Sequence, residues 1–174
     1  MKKNLLTLSL LFVAALAFAQ SETKKVDGKN EIKLNLFGTI LGMPEITYER
    51  LLKDDDALGI SAFIGVDDDL EYKYGFMPYY RIYFGSKKAN GFFIEANSAL
   101  IGTKTYNYVY YGNYEYYAHV TSDLNFGLGA AAGAKFITKN GFIGEIYGGV
   151  GRIFNRNAVV EAYPRVGITI GKRF

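Results

Sequence analysis

Cysteine and tryptophan are absent from this chain, histidine occurs once (His119) and proline three times. Without cysteine there is no disulfide, no thiolate metal site and no lipid anchor on a processed N-terminal Cys. One histidine leaves no imidazole cluster for a metal. Beyond the first twenty residues there is no long apolar run, and the mean hydropathy is +0.02. That excludes a helical membrane protein. It does not exclude a barrel, in which only alternate residues meet lipid. A surplus of charge is missing too. The formal charge of +3 falls to +1 once Lys2 and Lys3 are set aside with the N-terminal segment. A chain so near neutrality offers no basic excess for nucleic acid.

The first residues, MKKNLLTLSLLFVAALAFAQ, combine two lysines, an apolar stretch from Leu5 to Phe18 and an Ala17-Phe18-Ala19 processing site. This pattern predicts a signal peptide over 1–19, with Gln20 at the mature N-terminus. Residues 20–30, QSETKKVDGKN, are polar and read as a flexible periplasmic leader. The remainder, 31–174, has the length of one domain.

Fifteen Tyr, thirteen Phe and twenty Gly favour strands and turns. From residue 31 the hydrophobic period is two, which predicts eight strands near 31–39, 43–53, 57–66, 74–85, 90–103, 121–138, 141–153 and 160–174. Leu124, Phe126, Leu128, Ala130, Ala132, Ala134 and Phe136 alternate with Asp123, Asn125, glycines, Ala131 and Lys135. In the last strand Val166, Ile168 and Ile170 alternate with Arg165, Gly167, Thr169, Gly171 and Arg173. The expected fold is all-β, an eight-stranded antiparallel up-and-down transmembrane barrel.

The connections also alternate. KDDDA (53–57), GSKKANG (85–91) and TKNG (138–141) are short turns, and Asn90-Gly91 and Asn140-Gly141 are hairpin signals. VDDDLEYK (66–73), TKTYNYVYYGNYEYYAH (103–119) and NRNAVV (155–160) read as loops on the opposite side. Short periplasmic turns and longer extracellular loops are the habit of outer-membrane barrels. Phe84, Phe92, Phe136, Phe142 and Phe174 fall on the apolar parity at turn-side strand ends and predict an aromatic girdle. Pro44, Pro78 and Pro164 are expected near loop-side strand starts, where pairing ends. The inward parity carries Lys33, Arg81, Lys135, Arg165 and Arg173 against Glu45, Glu49, Glu95, Asp123 and Glu145. An eight-stranded interior is just wide enough for side chains, so these ten are expected to form a closed charge network.

The AFAQ processing site, the segments IKLNLFG and PEITYERLL, and the ending RVGITIGKRF with its terminal Phe resemble the small eight-stranded outer-membrane barrels. The resemblance is to the OmpX and OmpA-transmembrane-domain type, and to short outer-membrane barrels of Bacteroidetes-type bacteria. It implies an outer-membrane location in a Gram-negative cell, contact with outer-membrane lipid, and recognition of the last strand by the barrel-assembly machinery. Lys172 departs from the apolar residue usual before the terminal aromatic. A lysine there is expected to snorkel to the interface.

Chemistry is sparse. Asp54-Asp55-Asp56 and Asp67-Asp68-Asp69 read as solvated turns rather than calcium sites, because EF-hand spacing is missing. The Gly148-Gly149-Val150-Gly151 run sits in a strand and makes no phosphate loop. His119, Ser122 and Asp123 form the one candidate hydrolytic set, but parity puts Ser122 on the opposite face from the other two. No cofactor or metal is expected. Tyr106, Tyr108, Tyr110, Tyr111, Tyr114, Tyr116 and Tyr117 crowd one connection, a candidate extracellular surface for a ligand; strand extensions or an aromatic belt are the other roles open to it. The expected function is a non-enzymatic structural or surface-interaction role. The alternatives are a lipid-modifying enzyme in the same membrane and a soluble lipocalin-like carrier.

Overall fold

The computed structural model describes residues 28–67, 70–85, 87–111, 114–154 and 161–174, and between 105 and 122 the backbone alone. The expected signal peptide lies outside these residues, as does most of the leader. Among the described residues nine strand segments appear: β1 Asn30–Asn35, β2 Glu45–Leu51, β3 Asp56–Ile64, β4 Tyr72–Phe84, β5 Gly91–Tyr111, β6 Tyr114–Ile137, β7 Phe142–Ile153, β8 Ala162–Pro164 and β9 Gly167–Arg173. Consecutive strands pair antiparallel from β1 to β7. Both β8 and β9 pair with β7, in one unbroken register, so they are two parts of a single eighth strand. β9 then pairs with β1 and closes the barrel. Closure pairs every described strand on both sides, the condition a β-structure must meet to lie in hydrocarbon.

The alternation does what the sequence requires. In β9, Ile168 is 49% exposed and Thr169 3%. Ile32, Leu34, Ile46, Leu58, Ile94, Leu128, Ile146 and Val150 also face outward. The buried class is instead largely polar and charged. This inverts a soluble carrier such as a lipocalin and matches a barrel with an apolar exterior.

Several expectations need correction. The first strand ends at Asn35, not residue 39, and Leu36–Ile40 form a short helix, α1. Asn35 caps it, its side-chain oxygen accepting from the Gly38 amide at 3.1 Å, which meets a donor that the helix leaves orphaned. The leader ends earlier than residue 30. Lys29 O accepts from Leu51 N, and Asn30 exchanges two backbone bonds with Phe174. Pro78 lies inside β4 rather than at its start. The ladder to β3 runs through it, whereas the ladder to β5 passes from Phe76 to Tyr79, as a residue without an N–H dictates.

The 103–119 connection is not a loop. β5 and β6 continue as a paired ribbon from Lys104↔Ser122 to Tyr111↔Tyr114, with one bulge where Asn107 pairs His119 and Tyr108 pairs Tyr117. The alternating Tyr-x-Tyr-x pattern is a strand pattern, and cross-strand pairing satisfies its backbone better than an open loop. The ribbon outruns its neighbours: β4 meets β5 up to Thr103, and β7 meets β6 from Gly127.

Candidate functional site

The lumen is where the sequence concentrates its chemistry. Lys33, Glu45, Glu49, Arg81, Glu95, Lys135, Glu145, Arg165 and Arg173 are all buried there. One of the expected ten departs, and one residue outside that set joins. Asp123 has the inward parity but is exposed, because it stands above the last β6–β7 pair, where β6 has lost its β7 neighbour. Glu31 takes its place, fully buried on the parity of Lys33. The balance stays at five cations and five carboxylates.

These ten form one chain of ion pairs from the turn end to the loop end. Arg173 holds Glu31 at 2.6 Å. Lys135 bridges Glu31 at 2.8 Å and Glu49 at 2.6 Å. Lys33 bridges Glu49 at 2.7 Å and Glu145 at 2.8 Å. Arg81 contacts Glu145 at 3.0 Å, Glu49 at 3.2 Å and Glu95 at 2.7 Å. Arg165 completes the run, on Glu95 at 2.8 Å and Glu45 at 2.7 Å. Glu49 is the hub. Besides three cations it accepts from the Tyr79 and Tyr83 hydroxyls at 2.7 and 2.6 Å. Rings pack on the cations as well: the Arg81 guanidinium lies 4.1 Å from the Phe93 ring centre, and Lys135 Nζ 4.4 Å from that of Tyr83.

Glu31, Glu49 and Glu145 bring carboxylate oxygens close enough for a metal. Lys33 and Lys135 already neutralise that cluster: Lys33 bridges Glu49 and Glu145, Lys135 bridges Glu31 and Glu49. Two ammonium groups therefore do a cation's work, and a further cation would meet their repulsion.

Apolar groups close both ends. Towards the turns, Leu51, Ala57, Tyr83, Ala89, Phe93 and Tyr147 pack together. Ala89 belongs to the β4–β5 turn, which folds in across the opening. Its carbonyl and that of Lys88 accept from Arg173 at 3.0 and 3.1 Å. Towards the loops, Met77, Ala99, Ile101, Ile153 and Tyr163 form a second cluster. Above it α1 overhangs a cleft of about 60 Å³. That has room for a few waters and falls well short of the ~300 Å³ at which small-molecule sites begin.

Inward glycines make this filling possible. A Cβ on Gly151 would overlap the Tyr163 ring, and one on Gly167 would overlap the Tyr147 ring. In each case the tyrosine lies over its directly paired neighbour. The space is thus used by adjacent strands, not only by side chains reaching across.

The five girdle phenylalanines sit on the outer wall. Phe84, Phe92, Phe136 and Phe174 are at least half exposed, Phe142 less so. Phe84 and Phe92 rings lie 6.0 Å apart. Lys172 reaches the turn as a snorkelling lysine should. Its Nζ donates to Asn140 O at 2.7 Å and lies 4.2 Å from the Phe142 ring centre. The side chains of Tyr106, Tyr108, Tyr110, Tyr111, Tyr114, Tyr116 and Tyr117 lie outside the described residues, as do those of His119 and Ser122.

No protein-family model matches the chain, and no curated protein matches it in sequence. Among solved structures it is similar to the N-terminal β-barrel domain of Pseudomonas aeruginosa OprF, with a TM-score of 0.50 and 14% identity. The match covers 83% of this chain and 95% of that one. At that identity the likeness is one of fold, and the fold is that of the small eight-stranded outer-membrane barrels of the OmpA and OmpX kind.

Proposed function

We propose that this chain is a non-enzymatic barrel of a Gram-negative outer membrane, with a sealed lumen and a surface-interaction role carried by its tyrosine-rich hairpin. One observation carries the reading: the interior is filled by a complete charge network capped by apolar side chains, while the apolar side chains face out. A wall of that kind has a hydrocarbon solvent, and an interior of that kind leaves no water column for transport. Chemistry at a substrate needs a group held ready near open space, and each buried carboxylate is engaged by two or more donors. The surface left for recognition is the ribbon above the barrel, and tyrosine supplies contact area and a polar tip at low entropy cost.

The test is fractionation followed by a gel of boiled and unboiled samples. The folded protein is expected in the outer-membrane pellet, migrating differently before and after boiling. Recovery in the soluble periplasmic fraction overturns the membrane reading. Steady conductance of the purified protein in a planar bilayer overturns the sealed lumen.

A further inference from the structure

The two ends of the barrel carry opposite charge. At the turn end Lys29, Arg50, Lys53, Lys87, Lys139 and Lys172 are exposed. Against them stand Asp54 and Asp55 in the β2–β3 turn and Asp56 at the start of β3, and Asp54 is 3.8 Å from the half-buried Lys88. At the loop end, among the described residues, Asp67, Glu71, Glu115, Asp123 and Glu161 stand against Lys73, Lys104 and Arg152. The lumen contributes nothing to the asymmetry, since its charges cancel.

The cations also gather on one side. β1 lies between β2 and β9, and its register sets Asn30 opposite Arg50 and Ile32 opposite Lys172. Arg50 and Lys172 both point outward, two strand spacings and two residues apart, or about 12 Å. Lys139 stands in the turn that Lys172 bonds. The aspartates belong to the other side of β2. Phe142 and Phe174 lie beside this patch, fixing its depth at the edge of the apolar wall.

We propose that this patch binds anionic phospholipid headgroups of the leaflet at the turn end. A cation at girdle depth meets phosphates, not bulk water, and several close together favour a lipid with net negative charge over a zwitterion. The Lys172 contacts with Asn140 and Phe142 hold one ammonium at that depth in advance. The inference rests on the membrane reading above, and the experiment separates the two.

The full mature chain is folded into phosphatidylcholine vesicles carrying either spin-labelled phosphatidylglycerol or spin-labelled phosphatidylcholine. The immobilised fraction then reports lipid selectivity. Selectivity for phosphatidylglycerol of roughly three- to fivefold is expected, falling with added salt. It should approach unity in R50Q/K139Q/K172Q and stay unchanged in the loop-end variant R152Q. Should the triple variant fail to fold, R50Q/K139Q leaves the Lys172 contacts intact and should still lose most of the preference. Equal binding of both labels by folded wild type overturns the proposal, as does selectivity that survives the triple variant. Failure of the wild type to enter either vesicle overturns the membrane reading, and the patch with it.

Discussion

Lys135 on β6 and Glu49 on β2 meet at 2.6 Å across the full width of the barrel, since three strands lie between them either way around. Each also has other partners: Lys135 holds Glu31, and Glu49 accepts from Lys33, Arg81, Tyr79 and Tyr83. Lys135→Met should therefore destabilise the folded barrel by about 3–5 kcal/mol, because it leaves buried carboxylate charge uncompensated. Glu49→Gln should cost at least as much, since three cations lose their shared counter-charge and face a new amide donor. The double variant should cost less than the sum. Urea titration in vesicles, followed by gel mobility of unboiled samples, measures all three; additive costs would mean the two groups are not coupled.

Glu145 and Arg165 belong to the same network without touching. Glu145 reaches Arg81, Arg81 reaches Glu95, and Glu95 reaches Arg165. Removing either should destabilise, while their coupling in a double-mutant cycle should be weaker than that of Lys135 with Glu49. An equal or larger coupling energy would point to a direct contact that this geometry lacks.

On the outer wall, Ile168→Arg should cost about 2–4 kcal/mol if residue 168 sits near the bilayer midplane. Thr169→Ser, one residue on and facing in, keeps the hydroxyl that lies 3.4 Å from Glu145 and should be mild. The same urea titration reads both, and the opposite ranking would reverse the facing of the strand.

Gly151→Ala places a methyl group where the Tyr163 ring lies. Overpacking of this sort typically costs about 1–3 kcal/mol. Trimming the ring should relieve it, so Gly151→Ala should be better tolerated in a Tyr163→Ala background than in the wild type. A cost independent of residue 163 would show that backbone strain, not the ring, sets the penalty.

The wall of this barrel is legible in the sequence because burial there has a period of two, and a strand converts that period directly into facing. Depth has no such signature. Asp123 has the right parity and the wrong height, since where a neighbouring strand stops depends on pairing, not on the residue itself. Glu31 was hidden at the edge of a polar leader, although its spacing from Lys33 matches the inward set. The helix at Leu36–Ile40 was foreshadowed by Asn35, a good capping residue, but IKLNLFG also alternates well enough to pass for strand. Tyr106, Tyr108 and Tyr110 have the strand period too; their polarity drew them into a loop, yet above a membrane a polar ribbon is as stable a choice as a polar loop.

That ribbon bears the last prediction. Its outer pairs, from Tyr108↔Tyr117 to Tyr111↔Tyr114, lie beyond the strands that close the barrel. The girdle and the ion-pair chain are elsewhere. Replacing residues 108–116 with a short Gly/Ser turn should therefore leave export and heat-modifiable migration intact, while abolishing any binding that the tyrosines support. The hairpin is nearly free of charge, so such binding should depend only weakly on salt. Loss of folding on deletion would make the tyrosines part of the barrel's own stability and remove the basis for a recognition surface. An epitope tag placed at the hairpin should be reached by antibody on intact cells. A tag that is reached only after the outer membrane is broken would invert the topology, putting the hairpin in the periplasm and the cationic end outside.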